Sequence, residues 1–162
     1  MIDSPSPTQT AHIEAGDSND LDDVMRVMEA AFGDRYGEAW TRSQCAGILP
    51  MTGVSLILAR DGKSGAPLGF SLIRSVADEA ELLLLAVLPD HQRHGIGRRL
   101  LDRFVDRARL SGANRIHLEV RDGNPAIGMY QSAGFAQVGR RRNYYHARSG
   151  RQFDALTFAR QL

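Results

Sequence analysis

An apolar run followed at once by a glycine-rich turn decides the fold of this chain. Residues 81–97 read ELLLLAVLPDHQRHGIG, and apolar side chains fill positions 82–88. Because successive side chains of a strand point to opposite faces, a strand that is apolar on both faces belongs in the middle of a covered sheet. Gly95 and Gly97 follow, directly before a helical pattern. The stretch therefore predicts a buried strand, a glycine turn and a helix, in that order.

The segment after the turn is an amphipathic helix by its spacing. Its apolar face contains Ile96, Leu100, Leu101, Phe104, Val105 and Ala108, and its charged face contains Arg98, Arg99, Asp102, Arg103, Asp106 and Arg107. Residues 111–114 end this helix, and residues 115–120 form the next strand. A strand, a helix and a strand in this order predict a parallel strand pair joined by a right-handed crossover.

The remaining segments complete the predicted architecture. Strands are predicted at residues 12–15, 54–59, 68–76 and 81–88, and a closing hairpin at 135–145 and 153–159. Helices are predicted at 21–33 and 42–49, and a Thr41–Gln44 capping box opens the second of them. A further helix of about ten residues is predicted with Asn124 as its N-cap and Pro125 as its first residue. The expected class is α/β (α+β), with one central mixed, mostly antiparallel sheet of about seven strands and helices on both faces. Residues 12–162 form the domain, and residues 1–11, rich in Ser, Pro and Thr, form a disordered tail.

Composition excludes several classes of protein. The chain has 162 residues, of which 43% are hydrophobic and 24% charged, as expected for one globular domain. Cys45 is the single cysteine, so neither an internal disulfide framework nor a cysteine-based metal site is expected. The apolar run at 82–88 is too short to span a bilayer, and the first residues lack a signal-peptide pattern. We therefore expect a cytoplasmic protein that binds no metal and no membrane.

Charge is unevenly distributed along the chain. Residues 1–90 carry 14 acidic and 6 basic side chains, whereas residues 91–162 carry 5 acidic and 14 basic ones. The second part of the chain therefore favours an anionic ligand. All basic residues but Lys63 are arginines, which fits a GC-rich genome as well as bidentate phosphate binding.

The glycine turn has the chemistry of an anion-binding site. The first turn of a helix has unpartnered N–H groups and the positive end of the helix dipole. Glycines at 95 and 97 let a phosphate approach the backbone, and Arg93 and Arg98 add charge. The turn is neither a dinucleotide fingerprint nor a P-loop, because it lacks the third glycine of the first and the Gly-Lys-Ser/Thr of the second. From these residues alone, a simple change of chain direction remains the alternative.

Several motifs together resemble one family. Gln92-Arg93-His94-Gly95-Ile96-Gly97, after a strand ending in Ala-Val-x-Pro, is similar to the acetyl-CoA-binding motif of the GNAT superfamily of N-acetyltransferases. Tyr130, four residues before Gly134-Phe135, matches its helix-to-strand junction. Within the superfamily, residues 118–121 (LEVR) and 141–145 (RRNYY) resemble the ribosomal-protein-alanine N-acetyltransferases, as do residues 78–80 and 154–155. The resemblance extends over residues 12–160.

The resemblance implies a set of acetyl-CoA-binding residues. The backbone of Leu85, Ala86 and Val87 would pair with the pantetheine arm, as a strand pairs with a peptide. The pyrophosphate would be held by Arg93, His94, Gly95, Ile96, Gly97 and Arg98. Asn124 would complete the cofactor site, although it is one residue closer to Tyr130 than in the family pattern.

The resemblance also implies catalytic and acceptor-binding residues. Glu119 would be the general base, directly or through water, and the alternative is a strand residue that faces solvent. Tyr130 would protonate the departing thiolate, and it is equally a candidate packed aromatic. Tyr144 and Tyr145 would bind the acceptor beside the loop at 32–41, or they stabilise the hairpin.

The expected function follows from this resemblance. The chain would transfer an acetyl group from acetyl-CoA to the N-terminal α-amine of a protein, such as a ribosomal protein. The alternatives are acetylation of a small amine or a lysine side chain, and a non-catalytic sensor that binds acyl-CoA. Nucleic-acid binding is the least favoured, because no basic surface interleaved with aromatic residues is present. Monomer and homodimer both remain open.

Overall fold

The computed structural model describes residues 10–162, and a single seven-stranded sheet organises them. The strands are β1 (Ala11–Gly16), β2 (Val54–Asp61), β3 (Pro67–Val76), β4 (Glu79–Val87), β5 (Arg115–Arg121), β6 (Ala136–His146) and β7 (Gln152–Gln161). The helices are α1 (Leu21–Ala31), α2 (Arg42–Ile48), α3 (Ile96–Leu110) and α4 (Ile127–Ser132). The predicted tail lies outside the described residues at positions 1–9, and β1 begins at Ala11.

The sheet is mixed and mostly antiparallel, as the sequence predicts. Its strand order is β1-β2-β3-β4-β5-β7-β6. Only β4 and β5 are parallel among these paired strands, and α3 joins them. The α+β class with one mixed sheet of seven strands is therefore confirmed.

Helices cover both faces of the sheet and form two apolar clusters with it. On one face, Phe104 of α3 and Tyr130 of α4 belong to the same buried cluster as Ile116 of β5. On the other face, Val27 of α1 packs in a cluster with Phe70 of β3. The central strand β4 contributes to both clusters, which explains why its sequence is apolar from Leu82 to Val87.

A bulge in β4 separates its two halves. Leu82 is opposite Ile73 of β3 while Leu84 is opposite Leu72, so Leu83 is an extra residue. As a result Leu82 packs in the cluster with α3, and Leu84 packs in the cluster with α1. The parallel ladder with β5 also ends here, at the pair Leu82–Leu118. Residues 83–87 of β4 therefore extend beyond the paired part of β5, and the sheet opens between the two strands.

The sequence predicts the start of α2 correctly and the start of α4 incorrectly. The capping box of α2 is present: the Gln44 amide donates to Thr41 Oγ1 at 3.2 Å, and the Thr41 amide donates to Gln44 Oε1 at 2.7 Å. The prediction for α4 is wrong, because this helix has 6 residues and its N-cap position is Ala126. Asn124 Oδ1 instead accepts the Ala126 amide at 2.8 Å, which closes a turn before the helix begins.

Candidate active site

A cavity of about 920 Å³ lies where the sheet opens between β4 and β5. Its walls come from the end of β4, the start of α3, the turn before α4, the end of β6 and the α1–α2 loop, residues 32–41. The predicted site residues that line it are Leu85, Ala86, Val87, Arg93, Gly95, Gly97, Arg98, Glu119, Asn124, Tyr130, Tyr144 and Tyr145. These residues, scattered over the second half of the chain, therefore line one continuous cavity.

The glycine turn is an open cradle at the start of α3. Gly95 is the N-cap residue with φ +83°, and the first helical bond runs from the Arg99 amide to the Gly95 carbonyl oxygen at 3.1 Å. A Cβ built at Gly97 would meet Met129 Sδ at 3.5 Å, an ordinary contact, so this position has room for a single methyl group. Gly95 and Gly97 both line the cavity, so the first turn of α3 borders it.

Two predicted residues of the turn do not line the cavity. The Ile96 side chain is 0% exposed and packs in the core below α3, so only its backbone faces the first turn. His94 lies on an exposed part of the turn. Arg93 lines the cavity and has φ +64°, which is uncommon for a residue with a side chain. The structure therefore does not bring the side chains of Ile96 and His94 into the cavity.

The end of β4 offers its backbone to the cavity. Leu85, Ala86 and Val87 line the cavity beyond the last pair of the β5 ladder. Gln92 Nε2 donates to the Val87 carbonyl oxygen at 3.0 Å, which ties the glycine turn to the strand. An extended amide-containing arm fits this edge, because an open strand edge accepts a further strand.

Glu119 faces the cavity from β5. Its neighbours Leu118 and Val120 point to the opposite face and are buried in the core. The Glu119 side chain is 16% exposed, so the alternative of a solvent-facing glutamate does not hold. Oε1 forms an ion pair with Arg141 Nε at 2.8 Å. The Arg141 side chain is 62% exposed, so its own charge stays solvated when it moves away from Glu119.

Tyr130 reaches the cavity from α4, where it is also a packed aromatic. The residue is 5% exposed, and its ring meets Phe135 in a T-shaped contact at 6.2 Å. Burial, and then the nearby Glu38 carboxylate, raise the pKa of the Tyr130 phenol. The hydroxyl therefore keeps its proton at neutral pH and is available as a donor.

Glu38 is a cavity residue that the sequence did not reveal. It lies on the α1–α2 loop with its side chain 12% exposed. Oε1 accepts from Arg121 Nε at 3.1 Å, and Oε2 accepts from Asn124 Nδ2 at 3.0 Å. These partners are 83 and 86 positions away along the chain, so no local spacing could have linked them.

Asn124 is held by hydrogen bonds within the protein. Its Oδ1 accepts the Ala126 amide and its Nδ2 donates to Glu38. The side chain lines the cavity between the cofactor end and the α1–α2 loop. It therefore connects the predicted cofactor site to the acceptor side.

A bulge in β6 turns two consecutive tyrosines into the cavity. Arg141 is opposite Ala155, but Tyr145 is opposite Phe153, so residues 142–144 all face the single residue Asp154. Asn143 has φ +53°, and its amide donates to Asp154 Oδ1 at 2.9 Å. In a regular strand, neighbours point to opposite faces, whereas Tyr144 and Tyr145 both line the cavity.

The two tyrosines interact with each other and with the cavity carboxylates. Their rings form a T-shaped pair at 5.0 Å. Burial, followed by Glu38 and then Glu119, raises the pKa of Tyr145. Burial and then Glu119 raise the pKa of Tyr144, which is more exposed. Both cavity carboxylates therefore contribute to the raised pKa of Tyr145.

Neither a metal-binding cluster nor a membrane-spanning helix is found in the part of the chain that the structure describes. Residues 10–162 contain no group of three or more His, Cys, Asp or Glu side chains placed to hold a metal ion. Within the same residues, no helix is both long and apolar enough to cross a membrane.

The chain matches one protein family and is similar to several known proteins. Residues 21–135 match the acetyltransferase (GNAT) family. The chain is 43% identical over 103 residues to the ribosomal protein bS18-alanine N-acetyltransferase of Escherichia coli (strain K12), covering 63% of this chain and 67% of that protein. It is 42% identical over 83 residues to N-alpha-acetyltransferase RimI of Mycobacterium tuberculosis, covering 51% and 49%.

Solved structures with a similar fold include one of the same kind of enzyme as the relatives found by sequence. The crystal structure of the ribosomal-protein-S18-alanine N-acetyltransferase from Escherichia coli superimposes with a TM-score of 0.82 at 30% identity, over 93% of both chains. Arabidopsis thaliana NAA60 in complex with a bisubstrate analogue gives a TM-score of 0.80 at 19% identity, over 94% of this chain and 98% of that one. This second likeness concerns the fold alone.

Proposed function

Because the chain belongs to the GNAT acetyltransferase family, we propose that its cavity transfers the acetyl group of acetyl-CoA to the N-terminal α-amine of a protein. The chain is an acetyl-CoA-dependent N-acetyltransferase, and the proposal concerns its acceptor and its catalytic residues. The observation that carries the proposal is one cavity with an anion cradle at one end and Glu119, Tyr130 and the two tyrosines of β6 at the other.

The donor end of the cavity fits acetyl-CoA. The open amides at the start of α3, together with Arg93 and Arg98, suit a pyrophosphate. The edge of β4 that extends beyond its pairing with β5, at residues 83–87, suits the amides of the pantetheine arm. When bound, acetyl-CoA supplies a thioester whose acetyl carbon can react with an amine.

The acceptor end supports an N-terminal amine rather than a lysine. The pKa of an α-amine is about 7.7–8.0 and that of a lysine about 10.4, so the α-amine is far more often neutral at pH 7. A weak base such as a carboxylate then suffices. The relatives named for bS18-alanine acetylation support a protein N-terminus, with a terminal alanine as the expected acceptor. Tyr144 and Tyr145 would bind the backbone of the incoming peptide.

Two side chains have complementary proton-transfer roles in the proposal. Glu119 accepts the proton that the amine loses as its nitrogen bonds to the acetyl carbon, directly or through a water molecule. Tyr130 donates its proton to the sulfur as the carbon–sulfur bond breaks. The raised pKa of Tyr130 keeps that proton available, and holding amine and thioester together contributes much of the rate.

A panel of acceptors tests the proposal. Purified protein and acetyl-CoA are mixed with peptides that begin with alanine, the same peptides with a blocked N-terminus, lysine peptides and small amines, and the released thiol is measured. We expect thiol release with free alanine N-termini and none with the blocked peptides. Preference for small amines or lysines would contradict the acceptor assignment. Acetyl-CoA binding with no acceptor modified would favour a sensor.

A further inference from the structure

The buried guanidinium of Arg121 contacts the α1–α2 loop at the proposed acceptor end of the cavity. Arg121 is the last residue of β5 and is 8% exposed. Its Nε donates to Glu38 Oε1 at 3.1 Å, and its Nη1 donates to the Asp122 carbonyl oxygen at 3.3 Å. The Tyr36 ring lies over the same group, with 3.7 Å between Cζ and the ring centroid. A single side chain thus holds both an acid and an aromatic ring of the loop.

A second aromatic ring supports this contact from outside the cavity. Phe153 of β7 meets the Tyr36 ring in a T-shaped contact at 5.3 Å, and its centroid is 5.8 Å from Arg121 Cζ. Of these three residues, Tyr36 and Arg121 line the cavity and Phe153 does not. Any effect of Phe153 on the acceptor therefore passes through its two partners.

The loop also lies directly against the β6–β7 hairpin. Gly37 has φ +74°, and a Cβ at this position would overlap the backbone of His146. The Arg148 amide donates to the Asp34 carbonyl oxygen at 3.4 Å. The loop and the hairpin are therefore parts of one wall, and Arg121 connects that wall to the sheet.

We propose that Arg121 is a positioning residue that holds the α1–α2 loop as the acceptor-side wall of the cavity. It does so by fixing the Glu38 carboxylate and the Tyr36 ring beside Tyr130 and Tyr145. The role in turnover rests on the proposed function, because the wall matters to the reaction only if an amine acceptor enters there. The planar guanidinium can stack on a ring and donate in its own plane at once, whereas an ammonium group cannot do both.

Two variants and a matched control test this role. Arg121→Lys keeps the charge that Glu38 needs but loses the planar stacking, and Phe153→Leu removes the supporting ring at a distance from the cavity. Phe153→Tyr keeps that ring as the control. For the first two variants we expect the acceptor KM to rise about tenfold, the change in an equilibrium that the loss of one such contact produces. The kcat and the acetyl-CoA Kd should stay near the wild-type values, as should all three quantities in Phe153→Tyr.

Hydrogen exchange gives a readout that does not depend on the acceptor. We expect the amides of residues 33–41 to exchange faster in Arg121→Lys and Phe153→Leu, while those of β3 and β4 keep their protection. Unchanged exchange of residues 33–41 in both variants overturns the proposal. Equal weakening of acetyl-CoA and acceptor binding also overturns it, since that result indicates general damage. If the wild-type protein acetylates no N-terminus, the proposed function fails, and the exchange data still decide the role of Arg121.

Discussion

Glu119 and Tyr130 line the cavity from different elements, and each has a proposed role that a single-atom change can remove. Glu119→Gln removes the proton acceptor, and Tyr130→Phe removes the proton donor, while both keep the shape of the side chain. We expect each change to lower kcat by about 100-fold or more, the usual contribution of general acid–base catalysis. Acetyl-CoA affinity, measured by calorimetry, should stay at the wild-type value. Wild-type turnover in both variants would contradict the assigned roles.

The buried phenols predict how stability depends on alkaline pH. Burial and Glu38 raise the pKa values of Tyr130 and Tyr145 in the folded chain. Above about pH 10 the unfolded chain releases these protons while the folded chain retains them, so the free energy of unfolding falls as pH rises. Below that pH their contribution is fully present. Urea unfolding at several pH values from 9 upward should show a smaller loss of stability in Tyr145→Phe than in the wild type, and an equal loss would contradict this account.

At the residue scale, the sequence predicted side chains that belong to motifs and missed those that act through distant partners. Glu119, Tyr130 and the glycine turn were predicted because their spacing matches a family pattern. Glu38 was missed because its partners Arg121 and Asn124 come from the other half of the chain. Only the folded sheet and loop bring these three residues together.

At the element scale, the start of α3 gives a prediction that separates ligand binding from folding. Gly97→Ala adds a methyl group at ordinary contact distance from Met129 and Leu85, inside the cradle. An alanine stabilises a helix by about 1 kcal/mol relative to glycine, so folding should not suffer. Acetyl-CoA affinity should nevertheless fall, as measured by calorimetry. Gly47→Ala in α2, where nothing lies within 4 Å, is the matched control and should leave that affinity unchanged. Wild-type affinity in Gly97→Ala would remove the cradle from the acetyl-CoA site.

The bulge of β6 gives a second prediction at this scale. Asn143 adopts φ +53°, a conformation that costs a residue with a Cβ about 1–2 kcal/mol and that glycine adopts readily. Asn143→Ala should disturb the bulge and raise the acceptor KM several-fold, since Tyr144 and Tyr145 would lose their common orientation. Asn143→Gly should keep the wild-type KM. Equal KM values for the two variants would show that the bulge does not position the tyrosines.

The helices and strands themselves were largely predictable, because periodicity and caps act over a few residues. Two features of the structure differ from the predicted elements, each for a physical reason. The bulge at Leu83 is invisible in a run of four leucines, since either phase of the strand is apolar. The helix α4 is shorter than predicted because the Asn124 side chain closes a turn on Ala126 rather than capping a helix at Pro125.

At the scale of the whole molecule, the fold assembles two chemically different ends of one cavity. The basic second part of the chain contributes the cradle residues Arg93 and Arg98, and the acidic first part contributes Glu38 through the α1–α2 loop. The charge imbalance along the sequence predicted an anionic ligand but not this second contribution. The cavity lies at the opening between β4 and β5, and in the proposed reaction donor and acceptor meet there beside Glu119 and Tyr130.

In the proposed reaction, this cavity acetylates an N-terminal α-amine. The most direct measurement uses one peptide that begins with alanine and contains one internal lysine, so that the two kinds of amine compete within a single molecule. After incubation with acetyl-CoA and the protein, tandem mass spectrometry locates the added acetyl group. We expect one acetyl group on the terminal nitrogen and an unmodified lysine. An acetyl group on the lysine side chain, or a peptide that stays unmodified, would contradict the proposal.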